Sequence, residues 1–326
     1  MPEPARVLVL HDGSATSSPG LDAVAEQAPL TFTDEAGLAE ALPGADVLYL
    51  HHFLSHALRE AWPAADALQW VHVAAAGVDP VLFEELIGSD VTVTNSRGVF
   101  DDAIAEYVLG QIIAGAKGFR AAWRSQAEHR WQHRESDRVA GQRVLVVGTG
   151  AIGRSIARLL RAVGLEVRGA GRRVIEQDPD FGHVTDDLLG ALPEFDWVVA
   201  VAPLTESTRG MFGTKEFAAM PAHARLINVG RGELVDTDAL VEALERGAIA
   251  GAVLDVVDPE PLPAGHPLWD LPGVSLTAHQ SGDVRGWREE LDALFADNLG
   301  RWRRGEELRN VVDTELGYVP TTRSQT

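Results

Sequence analysis

The sequence predicts an α/β protein with two doubly wound parallel sheets, one domain inserted within the other. Three observations carry this. Short apolar stretches recur along the chain with helical patterns between them. One of them, Val144-Leu145-Val146-Val147, runs straight into Gly148-Thr149-Gly150-Ala151-Ile152-Gly153 and then into a helical pattern. That motif lies mid-chain, so the long segment before it must fold into something of its own.

In chain order, residues 6–10, 47–50, 70–73 and 91–94 read as strands, with helical patterns at 38–42 and 57–61. Asp101 and Asp102 cap a long helix through Ile104, Tyr107, Val108, Gln111 and Ile112. A polar, Arg-rich stretch at 120–143 leads into the glycine motif. There the first Gly makes the tight turn, the second admits a pyrophosphate and the third lets helix pack on strand. The helix start attracts the phosphates, so Gly148, Thr149, Gly150, Ala151, Ile152 and Gly153 form the expected dinucleotide cradle. Ile152, Ile156, Leu159, Leu160 and Val163 share the apolar face of the helix; Arg154, Arg158 and Arg161 lie mostly off it.

The next strand, 165–170, ends in Gly171-Arg172-Arg173. A site for NAD usually has Asp or Glu at this tip. Two guanidiniums instead suit a 2′-phosphate, so Arg172 and Arg173 favour NADP(H). Strands follow at 196–201, 225–229, 250–256 and 274–278, giving at least six in parallel. A last helix, from about 285 to 304, carries Trp287, Leu291, Leu294, Leu299 and Trp302, and 310–326 reads as a poorly ordered or docking end. The expected domains are 1–100 with 285–326, and 101–284.

Composition bounds the function. The net charge of −20 argues against nucleic acid or anionic membranes as partners. Cysteine is absent, no apolar run reaches membrane length, and residues 1–6 lack the apolar core of a leader, which together fit a cytoplasmic protein. Only Lys117 and Lys215 are lysines, so 26 of the 28 basic residues (28 − 2) are arginine. An acidic, lysine-poor surface predicts a halophilic, salt-requiring protein. The pairs His52/His56 and His129/His133 could each share a helix face, but neither has the Glu or third ligand of a zinc site, so no metal is expected.

Ligands of a doubly wound sheet bind beyond the carboxyl ends of its strands. Arg231 follows the strand 225–229, Asp255 ends the strand 250–256, Glu260 lies in the proline-rich loop after it, and His279 follows the strand 274–278. A cation, an acid and a histidine on neighbouring strand ends are the set that reduction of a 2-keto acid needs. Protonated His donates to the ketone oxygen, Glu orients the ring, and Arg forks onto the substrate carboxylate.

At these residues the chain resembles the D-isomer-specific 2-hydroxyacid dehydrogenase family. The matching segments are 148–153, Pro203-Leu204-Thr205 through Thr208, 228–236, 254–261 and 277–282. The resemblance implies a Rossmann cofactor domain inserted in a flavodoxin-like substrate domain. It implies Arg231 as substrate-binding residue, Glu260 as partner of the histidine and His279 as acid/base. Asp255 would hold the nicotinamide carboxamide, and Pro203, Thr208, Val229 and Gly230 would line the cofactor. Backbone amides at Ala76 and Gly77, within Ala75–Asp79, would take the substrate carboxylate. Residues 95–98 with Ala105-Glu106 match the crossover between domains. Family members are typically homodimers through the cofactor domain. Departures include Gly171 for the NAD-type acid, Ala278 for a common Pro and Gln280 beside the histidine. The implied activity is an NADP(H)-dependent D-2-hydroxyacid dehydrogenase reducing small 2-keto acids. The alternatives are a glyoxylate/hydroxypyruvate reductase using NADPH, and a dinucleotide-sensing, corepressor-like protein. His51, His52, Phe53, Phe100 and Trp287 are candidates for substrate preference.

Overall fold

The computed structural model describes residues 5–13 and 19–320. Most of the segment read for a leader, and the last six residues of the tail, lie outside that range. The chain divides into two compact units, residues 1–100 with 284–326, and residues 101–283.

In the first unit, five described strands form one parallel sheet in the order β2-β1-β3-β4-β5. They are β1 (Val7–Leu10), β2 (Leu30–Thr33), β3 (Val47–Leu50), β4 (Trp70–Val73) and β5 (Thr92–Asn95). This is the flavodoxin-like order. β1, β3 and β4 are buried along their whole length. A parallel sheet covered on both faces requires this; the apolar runs of β1 and β3 supply it, and β4 interrupts its run only at the buried His72. β2 was not expected from the sequence. It is an edge strand, Leu-Thr-Phe-Thr, with only Thr33 buried, so it lacks an apolar run. Leu10, Leu50, Val73 and Asn95 end in register, so the residues that follow them leave the sheet at one edge. The C-terminal helix Trp287–Arg303 buries Leu291, Phe295 and Leu299 in this unit, with Phe295 stacked on Tyr49 at 4.1 Å. The tail docks as far as it is described: Val311 bridges to Thr94, and Val312 is buried.

In the second unit, eight described strands form a sheet in the order β13-β12-β11-β10-β6-β7-β9-β8. They are β6 (Arg143–Val147), β7 (Glu166–Ala170), β8 (Ile175–Asp178), β9 (Gly182–Thr185), β10 (Trp197–Ala200), β11 (Arg225–Asn228), β12 (Gly251–Leu254) and β13 (Val274–Leu276). All pair in parallel except β8, which runs antiparallel to β9 at the edge. β8 and β9 had no apolar signature to announce them: β8 is Ile-Glu-Gln-Asp and buries only its last residue. The helix Ala151–Ala162 follows β6 and buries Gly153, Ser155, Ile156, Ala157 and Leu160. Val163, read as part of its apolar face, lies past the helix end and is exposed. The chain there turns through Gly164 at φ +89°, which carries the next residues off the helical path.

Candidate active site

The glycine motif separates what the fold requires from what a ligand would require. A Cβ on Gly148, at φ +120°, would lie 2.6 Å from the backbone of Val201 and Ala202. A Cβ on Gly153 would lie 2.0 Å from the carbonyl oxygen of Gly148. Gly148 lets the turn pass against the chain leaving β10, and Gly153 lets the helix pack on that turn and on β6. Gly150 faces open space within 4 Å, and as N-cap of the helix Ala151–Ala162 it offers no side chain to the first turn. An open helix start with nothing filling the cradle fits a pyrophosphate. Gly171, at the tip of β7, packs against Thr149 of this loop, and a Cβ there would meet the threonine hydroxyl at 3.1 Å. Arg172 and Arg173 therefore begin beside the glycine loop, and both are exposed.

The other cofactor-side residues lie at the carboxyl ends of β10 and β11. The Thr208 hydroxyl donates to the Pro203 carbonyl at 2.7 Å and accepts from the Thr205 N–H, which shapes the 203–208 turn. Val229 N–H donates to Ala200 O. Gly230 N–H donates to the Asn228 side chain, whose amide in turn donates to Arg231 O at 2.8 Å.

Asn228, Leu254 and Leu276 are register partners on β11, β12 and β13. Arg231, Asp255 and His279 follow them by three, one and three residues, so all leave the same edge of three adjacent strands, roughly 5 Å apart from strand to strand. Gly232 brings two of these loops together. Its Cβ would fall 2.1 Å from the Val257 carbonyl, and Thr237 donates to Asp258 O at 2.8 Å. The turn holding Arg231 is thereby fixed to the loop that leads to Glu260. Arg231 is half-buried, and its guanidinium donates to Gly230 O at 2.9 Å.

His279 Nδ1 lies 2.8 Å from Glu260 Oε1, with both side chains partly exposed. A carboxylate only accepts, so Nδ1 carries the proton in this contact. His279 adopts φ +49°, a left-handed conformation that a non-glycine residue holds only when its surroundings enforce it. Asp255 enforces it, which the sequence did not reveal. Its carbonyl accepts from His279 N–H at 2.8 Å, and its buried carboxylate accepts from the N–H groups of Gln280 and Ser281 at 3.0 and 2.9 Å.

Ala76 and Gly77 lie in the turn after β4 of the first unit. Asn95 Nδ2 donates to Ala76 O at 2.6 Å and Ser96 N–H to Ala75 O. Phe53 and Phe100 both approach Trp287, with ring centroids 6.5 and 5.9 Å away. His56 is the N-cap of the short helix Ala57–Ala61 and His52 precedes it in a bend, so these two share no helix face. His129 and His133 lie beyond the helix Phe119–Ala127. Among the described residues no group of three or more His, Asp or Glu could hold a metal ion, and no helix is long and apolar enough to cross a membrane.

Comparison with known proteins gives one answer. Residues 109–281 match the family model described as D-isomer specific 2-hydroxyacid dehydrogenase, NAD binding domain. A glyoxylate reductase of Thermococcus kodakarensis is 33% identical over 270 residues, covering 80% of this chain and 81% of the relative. One from Korarchaeum cryptofilum is 32% identical over 269 residues, 80% of each. An NADPH-dependent glyoxylate/hydroxypyruvate reductase of Sinorhizobium meliloti, solved with NADP and malonate, superposes with a TM-score of 0.82 at 27% identity, covering 98% of this chain and 99% of that one. A glycine cradle with room for a pyrophosphate and a histidine–carboxylate pair at neighbouring strand ends are what such a reaction asks of a fold. The chain belongs to the D-isomer-specific 2-hydroxyacid dehydrogenase family, oxidoreductases of 2-hydroxy acids that use a nicotinamide dinucleotide.

Proposed function

We propose that this chain is an NADP(H)-dependent reductase of short 2-keto acids, with His279 as acid/base. The observation that carries the reading is the 2.8 Å contact between His279 Nδ1 and Glu260. A bound reduced nicotinamide would supply a hydride, one proton with two electrons, to the keto carbon. His279 donates the proton that the ketone oxygen gains, from Nε2, and takes it back when the hydroxy acid is oxidised. Glu260 holds Nδ1–H, which fixes the tautomer and stabilises the imidazolium. Arg231 binds the substrate carboxylate and polarises the ketone. The turn at Ala76 and Gly77 in the first unit is the segment whose backbone amides the family resemblance assigns to a substrate carboxylate. Asp255 Oδ2 accepts one N–H from the protein, which leaves it capacity for the nicotinamide carboxamide.

The preference for NADP(H) rests on Gly171-Arg172-Arg173 beside the glycine loop, where a carboxylate would repel the 2′-phosphate. The Sinorhizobium relative, solved with NADP, is consistent with it. The test is a panel of glyoxylate, hydroxypyruvate, pyruvate and longer 2-keto acids, each with NADPH and NADH. Turnover favouring NADPH is expected. Tight NADPH binding with no turnover of any keto acid would move the assignment to a dinucleotide sensor. Arg172→Ala with Arg173→Ala should weaken NADPH far more than NADH; equal losses would remove the pair from 2′-phosphate recognition.

A homodimer formed by the second unit fits the exposed aromatic pair Phe119 and Trp123 and the exposed Trp131, which a monomer would leave in water. Light scattering that returns a monomer mass of 35.0 kDa would remove it. The −20 charge and scarce lysine support a salt requirement. Melting midpoints should rise in multimolar KCl, and equal midpoints would end that reading.

A further inference from the structure

The turn that aims His279 is tied to a helix far away in sequence. Thr277, just past β13, places its hydroxyl 2.5 Å from Asp255 Oδ1 and 2.6 Å from the hydroxyl of Tyr107, on the helix Asp101–Ala116. Counting protons sets the direction of this chain. The Asp255 carboxylate can only accept, so the single Thr277 proton goes to it. The Thr277 oxygen is then left to accept from Tyr107. Gln111, one helical turn beyond Tyr107, also hydrogen-bonds the phenol. Burial pushes the Tyr107 hydroxyl up to about 12, so it remains a donor across the working pH range.

The far end of the chain is Asp255, whose carboxylate accepts the N–H groups of Gln280 and Ser281 while its backbone carbonyl accepts that of His279. Those contacts hold His279 in its left-handed conformation. The rotation of the Asp255 carboxylate therefore sets the aim of the imidazole, and Thr277 is the side-chain hydroxyl that fixes the rotation.

We propose that Tyr107 is a positioning residue for the reaction, acting through Thr277 and Asp255 on the turn that carries His279. It rests on the reading of His279 as acid/base. A phenol that only packed the helix against the sheet could lose its hydroxyl without consequence at residues 279–281. A phenol that completes the relay cannot.

The test uses the full chain with Tyr107→Phe, which keeps the ring, Thr277→Val, which keeps the shape, and Thr277→Ser, which restores the hydroxyl. Three quantities are read: kcat and KM for glyoxylate with NADPH, the pH profile of kcat, and amide hydrogen exchange of the peptide spanning residues 277–283. Tyr107→Phe and Thr277→Val should each lower kcat roughly 3–10-fold, the loss expected for one hydrogen bond, with KM within about twofold. Both should speed exchange at Gln280 and Ser281 and shift the pH profile. Thr277→Ser should return all three toward the parent, and Tyr107→Phe with Thr277→Val should be no worse than either alone, because both break one chain. Unchanged exchange and kcat in Tyr107→Phe, or additive losses in the double variant, would overturn the proposal. Should the parent reduce no keto acid, the acid/base reading falls and exchange alone decides the relay. Faster exchange would uphold Tyr107 as the support of this turn, and unchanged exchange would remove it.

Discussion

Each unit contains a histidine facing a carboxylate, and the two pairs are built for opposite ends. In the second unit, His279 lies 2.8 Å from Glu260, with side chains 24% and 32% exposed. In the first, His51 lies 3.8 Å from Asp292, with side chains 10% and 0% exposed. Asp292 there accepts the Tyr49 hydroxyl at 2.9 Å. Burial pushes His51 down more strongly than Asp292 pulls it up, with Arg288 and His11 lowering it further and Asp12 raising it. Its neighbour His72 is wholly buried, pushed down to about 3, and uses its ring nitrogens on Thr94 and Ser96. A group that must gain and lose a proton in every turnover needs a direct partner and access to water. A group that anchors a core is held in one state by being denied water and a carboxylate within hydrogen-bond reach. Sequence distance does not separate the two cases; burial does.

That contrast can be broken, most forcefully at His279. His279→Ala should lower kcat roughly 10²–10⁴-fold, the range for a positioned acid/base, with little change in melting temperature. Near-normal turnover would strip the residue of its role. Glu260→Gln should cost about 10–100-fold in kcat, as one charge-assisted hydrogen bond is lost, measured alongside an unchanged KM for NADPH. An equal loss in KM for the cofactor would place Glu260 elsewhere. The first unit should answer in stability instead. Asp292→Ala leaves the buried Tyr49 hydroxyl unpaired and should destabilise by about 1–3 kcal/mol in denaturant, while kcat per folded molecule remains within about twofold. A large fall in kcat without loss of stability would make the buried pair functional.

The same buried histidines should also answer in acid stability. His51 and His72 have folded-state pKa values below their unfolded ones, so the unfolded chain binds more protons as acid is added. The contribution of each is complete above about pH 6.5 and is lost as the pH falls from there, for His72 toward about 3, by up to about 1.4 kcal/mol per pH unit for each titrating group. His72→Asn should flatten that slope when unfolding is followed against pH; an unchanged slope would show that His72 does not carry it.

Much of this molecule was legible in the chain. The turn glycines, the helix after them and the apolar strands of both sheets are local patterns, and the structure has them within a residue or two. β2, β8 and β9 were not legible, because the edge strands β2 and β8, and the short β9 beside β8, bury few residues and so carry little apolar signal. Asp292 left a trace that went unread: it lies on the same helical face as Phe295 and Leu299, where a carboxylate is out of keeping. Arg154 left none. It was read as lying mostly off the apolar face, yet it grips Asp178 with two nitrogens at 3.0 Å and Asp180 at 2.9 Å, clamping the loop between β8 and β9.

By itself the sequence determined the two sheets, the glycine cradle and the presence of an arginine, a carboxylate and a histidine at strand ends. Strand period and turn chemistry act over a few residues and are written where they act. Only the tertiary structure decided that Glu260 takes the histidine's Nδ1, that Asp255 holds the histidine's turn, and that Tyr107 reaches Thr277 across 170 positions. A hydrogen bond is won or lost over tenths of an ångström, and distances between remote residues come into being only when strand order and register place them side by side.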